Sequence, residues 1–343
     1  MAKMRAAVCH KPNTLTIEMV PKPEPKEADH VVVKVKATGV CGSDVDGYLG
    51  RHPWIKPPII LGHECSGLVD SVGPGVRKLK KGDRVVVEPF FVCGTCMNCM
   101  KGKYNMCRDI VVIGHQVAGS FAEYILMTER FVHPMPKNVS FEVGALAEPI
   151  SGALHAVGRC NLKIGDMVVL LGCGTIGYFL LQHALNSGAR VLVSEPEKKK
   201  RDAALAVGAQ WVLDPTKQSL EDKVMELTGD VGADCVMEAV GAPETIRATT
   251  ALGRKGGTIL LMGWTGNETD AFDCTTMTLD EMTVLGTMGF AWDFPVTLDL
   301  LSRGKVDAER IITHRFSLEQ AKEALETLHE KRDGVWKAAI VFD

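Results

Sequence analysis

The stretch Met167–Glu195, MVVLLGCGTIGYFLLQHALNSGARVLVSE, decides the fold. Met167 to Leu171 is an unbroken apolar run, the pattern of a strand buried on both faces. Gly172-Cys173-Gly174-Thr175-Ile176-Gly177 follows it and opens an apolar helix that runs to Gly188, after which RVLVSE reads as a second strand. By length alone the uncharged stretch Met167–Ala189 could span a bilayer. Gly172, Gly174, Gly177 and Gln182 fit a strand, tight turn and buried helix better, so no membrane span is expected. In this context the G-x-G-x-x-G glycines have distinct tasks. They permit the tight turn, the close approach of a pyrophosphate and close helix packing, while the helix N-terminus attracts the anion. A dinucleotide is expected to bind at Gly172, Gly174, Thr175, Ile176 and Gly177. Glu195 ends the next strand, where a carboxylate accepts hydrogen bonds from ribose hydroxyls and repels a 2′-phosphate, which favours NAD over NADP. The basic run Lys198–Arg201 argues the other way but reads more simply as a solvated helical turn.

The alternation continues outward through KKRDAALAVGA, WVLD, DCVMEAV and GTILLMG, which predicts a doubly wound parallel sheet over about 151–287. On the N-terminal side, HVVVKVKATGV, IILGHECSGLVDSVG and KKGDRVVVEPF are short β runs punctuated by Gly and Pro. The tail, with helical PVTLDLLSRG and SLEQAKEALETLHE and a final strand KAAIVFD, cannot close a core alone and is expected to return to the β-rich part. The predicted class is therefore α/β, with a β-rich domain over 1–150 and 288–343 enclosing a dinucleotide domain over 151–287.

Size agrees with two domains, because 343 residues at 46% apolar and 24% charged exceed what one core usually holds. With 39 basic against 42 acidic side chains the net charge is −3, without the excess that phosphate-backbone binding needs. Nucleic acid is not an expected partner. The N-terminal MAKMRAAVCHKPNTL has no apolar signal core, so a cytoplasmic protein is expected. Four of the eleven cysteines fall at Cys93, Cys96, Cys99 and Cys107. Four thiolates so close in sequence can close a tetrahedron around a structural zinc. An iron-sulfur cluster is the competing reading, but the last spacing and the absence of Pro after Cys107 depart from the ferredoxin pattern. Cys41 in GVCGSD, His63-Glu64 in GHE and Glu148 before Pro149 add one thiolate, one imidazole and one or two carboxylates. That set suits a catalytic zinc with an open position. The remaining cysteines read as small buried hydrophobes, and His115, His155, His183 and His314 as structural or surface residues.

Together, G-H-E with Gly67, C-G-S-D at 41–44, the four-cysteine lobe, A-E-P at 147–149 and G-x-G-x-x-G resemble the zinc-dependent medium-chain dehydrogenases over essentially the whole chain. The sorbitol, threonine and butanediol dehydrogenase branch is the most similar. The resemblance implies a GroES-like β domain with a Rossmann domain, two zinc ions per chain, and hydride transfer between a secondary alcohol and NAD. It implies Cys41, His63 and Glu64 as zinc ligands, and Glu148 either as a fourth ligand or as the residue orienting the metal's water. Ser43 matches the hydroxyl that takes the alcohol proton. Where many relatives carry a relay histidine this chain has Asp46, so the relay ends on Asp46, on Tyr48 or His52, or in water. Gly289 stands where polyol dehydrogenases place an arginine, which suggests a ring-shaped or bulky alcohol walled by Tyr48, His52, Trp54 and Phe290. Relatives form dimers or tetramers, and a homotetramer is favoured here. The rival readings are an NADPH-dependent ketone reductase of the same fold and, from another class, a non-catalytic dinucleotide-binding protein.

Overall fold

The computed structural model describes residues 2–264 and 272–343 and divides into two compact units. One comprises Met1–Pro149, Phe294–Gly304 and Ala308–Asp343; the other comprises Ile150–Asp293 and Lys305–Asp307.

Among its described residues the second unit holds a six-stranded parallel sheet. The spatial order is Trp211–Leu213, Arg190–Ser194, Met167–Leu171, Ala233–Glu238, Gly253–Leu261, Thr283–Gly286. Numbered by appearance within the unit, this is the doubly wound order 3-2-1-4-5-6, and it reverses between Met167–Leu171 and Ala233–Glu238. Ligands bind outside the carboxyl ends of the strands at such a reversal. Every residue of Met167–Leu171 is buried, as its unbroken apolar composition requires. Met167, Val169 and Leu171 share one core cluster with Leu192, Leu213, Val224, Val236 and Leu252. Each such side chain contributes roughly 1.5–3 kcal/mol on burial. Gly188, at φ +84°, ends the helix Thr175–Asn186 in the left-handed conformation that glycine adopts without strain.

The first unit is β-rich, and its longest strand, His30–Val40, organises the site. It pairs antiparallel with Glu64–Val72, Tyr124–Thr128 and Lys337–Val341. The registers Gly39↔Glu64 and Val40↔Ala338 set the ends of three strands side by side. Cys41, His63-Glu64 and Lys337 therefore meet although they are far apart in sequence.

Glu148 and Pro149 lie in the first turn of the helix Ala147–Arg159. Proline is tolerated there because that turn's N–H groups have no intrahelical acceptor. Cys274, expected to be buried, opens the helix Cys274–Leu279 and is exposed. No helix among the described residues is long and apolar enough to cross a membrane.

Candidate active site and metal centres

Cys41 is the N-cap of the short helix Gly42–Tyr48. Its Sγ, a ring nitrogen of His63 and a carboxylate oxygen of Glu64 all lie within 4.8 Å of one another. His63 and Glu64 are buried and Cys41 is partly so. One Glu64 oxygen accepts from Lys337 Nζ at 2.7 Å, while the buried Oε2 has no protein partner. A Cβ on Gly39 would lie 2.0 Å from that Oε2, so only glycine lets the carboxylate stand there. A thiolate, an imidazole and a carboxylate with an orphaned oxygen fit a divalent zinc ion.

Two charged residues that the sequence reading left without a role support this group. Asp44 is fully buried; its Oδ2 accepts from Cys41 N and its Oδ1 from Gly62 N, both at 2.9 Å. The same Oδ1 lies 3.4 Å from His63 Nδ1, within charge attraction but outside hydrogen-bond geometry. Burial opposes the Asp44 charge, but His63 and the Cys41 N–H outweigh it and hold the pKa below the usual carboxylate range. Lys337 is 3% exposed. Burial disfavours its charge too, but Glu64 and then Cys41 keep its pKa above the ordinary lysine value. In sequence, Asp44 closes the C-G-S-D run one helical turn after the N-cap cysteine, and Lys337 is the charge that opens an apolar strand.

Glu148 comes under the same electrostatic influence. Burial and the like charge of Glu64 push its carboxyl up to about 7, against the pull of His63 and Lys337. Ser43 sits, partly exposed, in the first turn after Cys41. Asp46 is half-buried and its carbonyl accepts from Arg51 N and His52 N. Tyr48 is turned to other work: its hydroxyl reaches Asn13 O at 3.2 Å and Glu326 at 3.3 Å. Burial, reinforced by Glu326, raises its pKa to about 12. Phe290, expected in a substrate wall, is 1% exposed and is a core side chain of the second unit. Gly289, at φ +55°, adopts the left-handed conformation that disfavours any longer residue.

The four-cysteine lobe is equally compact. Cys93, Cys96, Cys99 and Cys107 place their sulfurs within 4.8 Å of one another, and all are free thiols. Cys93 and Cys107 sulfurs are 3.5 Å apart. A zinc tetrahedron with bonds of about 2.3 Å has edges of about 3.8 Å, so the set is close to the required size. The N–H groups of Cys93 and Cys96 point at the sulfurs of Cys107 and Cys93. Backbone hydrogen bonds from Arg108 and Cys99 lower the Cys96 thiol to about 6, which favours the thiolate a metal requires.

In the second unit, the three glycines have separable constraints. Gly172 has φ +88°, and a Cβ on it would meet Val240 Cγ2 at 2.6 Å; a Cβ on Gly177 would meet Gly172 O at 2.1 Å. Gly174, the N-cap, has nothing within 4 Å, leaving its surface open to a ligand beside the first turn formed by Thr175 and Ile176. Glu195 is 4% exposed and holds the turn directly, accepting from Cys173 N at 2.8 Å and Glu197 N at 3.0 Å. Arg201 is engaged by the carbonyls of Glu195 and Pro196, each at 2.7 Å, and by Asp214 at 3.3 Å. Lys200 pairs with Glu197 at 2.6 Å.

With this geometry in place, residues 27–137 match the alcohol dehydrogenase GroES-like domain and residues 175–303 the zinc-binding dehydrogenase domain. The sorbitol dehydrogenase of Bacillus subtilis is 33% identical over 329 residues, covering 94% of this chain and 93% of that one. The 2R,3R-butanediol dehydrogenase structure from Bacillus subtilis aligns with a TM-score of 0.91 at 31% identity, over 99% of this chain and 100% of the other. A Sinorhizobium meliloti structure provisionally described as a zinc-binding dehydrogenase, bound to NADP, aligns over 100% of both chains with a TM-score of 0.92 at 31% identity. The chain belongs to the zinc-dependent medium-chain dehydrogenases, in the branch that contains the sorbitol and threonine enzymes. It is an alcohol dehydrogenase-type oxidoreductase with zinc and a nicotinamide dinucleotide as cofactors.

Proposed function

We propose that this enzyme oxidises a secondary alcohol of polyol, cyclitol or related type with NAD, using Cys41, His63 and Glu64 to hold the catalytic zinc and Glu148 beside it. The observation that carries the reading is the convergence of one ligand atom each from Cys41, His63 and Glu64 within 4.8 Å, two of the three residues being buried. When bound, zinc supplies Lewis-acid polarisation of the substrate oxygen, and the nicotinamide ring supplies the hydride acceptor. The protein's own groups then divide the remaining work. Ser43 accepts the alcohol proton and Asp46, on the same short helix, receives it on its way to solvent. Asp44 fixes the backbone at Cys41 and Gly62 and faces His63, while Lys337 fixes one oxygen of Glu64. Cys93, Cys96, Cys99 and Cys107 hold the second, structural zinc.

Glu195 supports NAD over NADP, because a buried carboxylate at the end of Arg190–Ser194 opposes a second phosphate. The specific observation favouring the other coenzyme, in an enzyme working chiefly as a ketone reductase, is that the Sinorhizobium meliloti neighbour carries NADP. Titration with both coenzymes across a panel of secondary alcohols, including cyclic and acyclic polyols, tests both readings. Higher kcat/KM with NADP rejects the role given to Glu195. The protein is further proposed to be a cytoplasmic homo-oligomer, a tetramer in preference to a dimer; light scattering on the purified protein tests the assembly.

A further inference from the structure

His155 Nδ1 donates to Asp293 Oδ2 at 3.0 Å, and the same oxygen accepts from Ala291 N at 2.9 Å. The imidazole and the carboxylate are 20% and 18% exposed, so the pair is largely shielded from water. His155 stands in the helix Ala147–Arg159, and Asp293 opens the helix Asp293–Ser302. One carboxylate oxygen thus ties the turn before Asp293 to a helix 138 positions earlier in the chain.

What the pair holds is a strained turn. Gly289 has φ +55° and Trp292 has φ +71°. Glycine takes the left-handed conformation freely, but a bulky aromatic residue takes it only where its surroundings impose it. Trp292 is 61% exposed, so burial of its side chain contributes little toward holding it there. Strain of this kind clusters at ligand clamps.

The sheet topology indicates which ligand. A doubly wound sheet consists of two mononucleotide-binding halves. The glycine turn sets the pyrophosphate beside Met167–Leu171, and the half with Arg190–Ser194 and Trp211–Leu213 takes the adenosine side. The half formed by Ala233–Glu238, Gly253–Leu261 and Thr283–Gly286 is left for the nicotinamide. Residues 287–292 leave the carboxyl end of Thr283–Gly286, the end at which such sheets bind ligands. They do not run out into solvent, because Phe290 is 1% exposed and the Asp293 charge acts on His183 in the helix Thr175–Asn186 as well as on His155. The chain therefore returns from the last strand of the sheet to the two helices that precede and follow Met167–Leu171. In the order 1-4-5-6 that path passes the strands of the nicotinamide half.

We propose that His155 and Asp293 are positioning residues that hold the turn at 289–292 against the nicotinamide end of the bound dinucleotide. They act through the turn and not by touching the ring. The inference rests on the nicotinamide coenzyme of the reading above and is independent of the alcohol oxidised.

Calorimetric titration of the zinc-loaded enzyme compares NADH with ADP-ribose, which lacks only the nicotinamide ring. Wild type is expected to bind NADH the more tightly. His155→Phe and Asp293→Ala should weaken NADH binding about tenfold, the effect of losing one charge-assisted hydrogen bond, and leave ADP-ribose within about twofold of wild type. His155→Gln, whose amide can donate to Asp293, should recover part of the loss, as should Asp293→Asn, whose Oδ1 can accept from Ala291 N. Equal weakening of both ligands would reveal a general loss of structure and overturn the proposal, and so would unchanged NADH affinity. If titration with both coenzymes favours NADP, NADPH and 2′-phospho-ADP-ribose take the two places, so failure of the role given to Glu195 leaves this comparison intact.

Discussion

Replacing Lys337 by methionine probes the most deeply buried ion pair of the candidate zinc site. Lys337 and Glu64 are 3% and 1% exposed and 2.7 Å apart, so solvent screens neither. Removing one member of such a pair leaves a buried charge without compensation, which costs about 3–5 kcal/mol. For a unit of this size 1 kcal/mol corresponds to roughly 2–4 °C, so zinc-free Lys337→Met should melt about 6–20 °C below zinc-free wild type. The double variant Lys337→Met, Glu64→Gln should recover much of the loss, because no full charge then remains unpaired. Zinc adds a second criterion. If Glu64 is a ligand, the ion neutralises its charge, and the penalty of Lys337→Met should shrink in the zinc-loaded protein. Scanning calorimetry on the four proteins, with and without zinc, measures each quantity. A zinc-free penalty below about 1 kcal/mol would refute the claim that the pair is electrostatically coupled, and an identical penalty with zinc would refute Glu64 as a ligand.

Cys96→Ser should lower thermal stability and reduce zinc from two ions per chain to one, whereas Cys41→Ser should abolish turnover in a folded protein; elemental analysis beside activity separates the two outcomes. Glu195→Ser should raise the KM for NAD about tenfold and improve NADP use, and unaltered coenzyme preference would count against the ribose contact. The change also frees Cys173 N and Glu197 N, so a modest loss of stability should accompany it. His183 is 2% exposed, and burial lowers its pKa to about 4 despite the Ile150 carbonyl at 3.2 Å. Its neutral form is the one the fold accommodates, so its contribution is present above pH 6.5 and is lost as pH falls toward 4. At pH 4.5 the loss is about 2–3 kcal/mol. Denaturant titrations at pH 7.5 and 4.5 should show that His183→Gln is less acid-sensitive than wild type by about that amount; equal sensitivity removes His183 as the cause.

The parallel sheet was legible because burial on both faces leaves its mark on each strand separately: Met167–Leu171 needs apolar residues at every position whatever its neighbours are. The glycine turn was legible for a similar reason, since backbone conformation and a 2.1 Å approach exclude side chains locally. Tyr48 and Phe290 misled. Nearness along the chain to site residues does not set side-chain direction, and both are committed elsewhere, one to Asn13 and Glu326 and the other to the core.

What sequence could not display is the charge arrangement of the metal site, because its members meet only through strand pairing. Lys337 is 273 positions from Glu64, and the register Val40↔Ala338 alone brings it there. Once assembled, the group constrains its own chemistry. Asp44 and Glu64 place two carboxylates at full burial, and Lys337 supplies one positive charge beside them. Burial disfavours a charge on His63, but Asp44 and then Cys41 raise its pKa well above the ordinary imidazole value, so without metal the imidazolium supplies the second positive charge. A zinc ion held by Cys41, His63 and Glu64 takes the imidazole neutral and the thiol ionised, and its two positive charges replace the imidazolium and offset the thiolate. The buried group is therefore balanced in both states, which lets the site fold before the metal arrives.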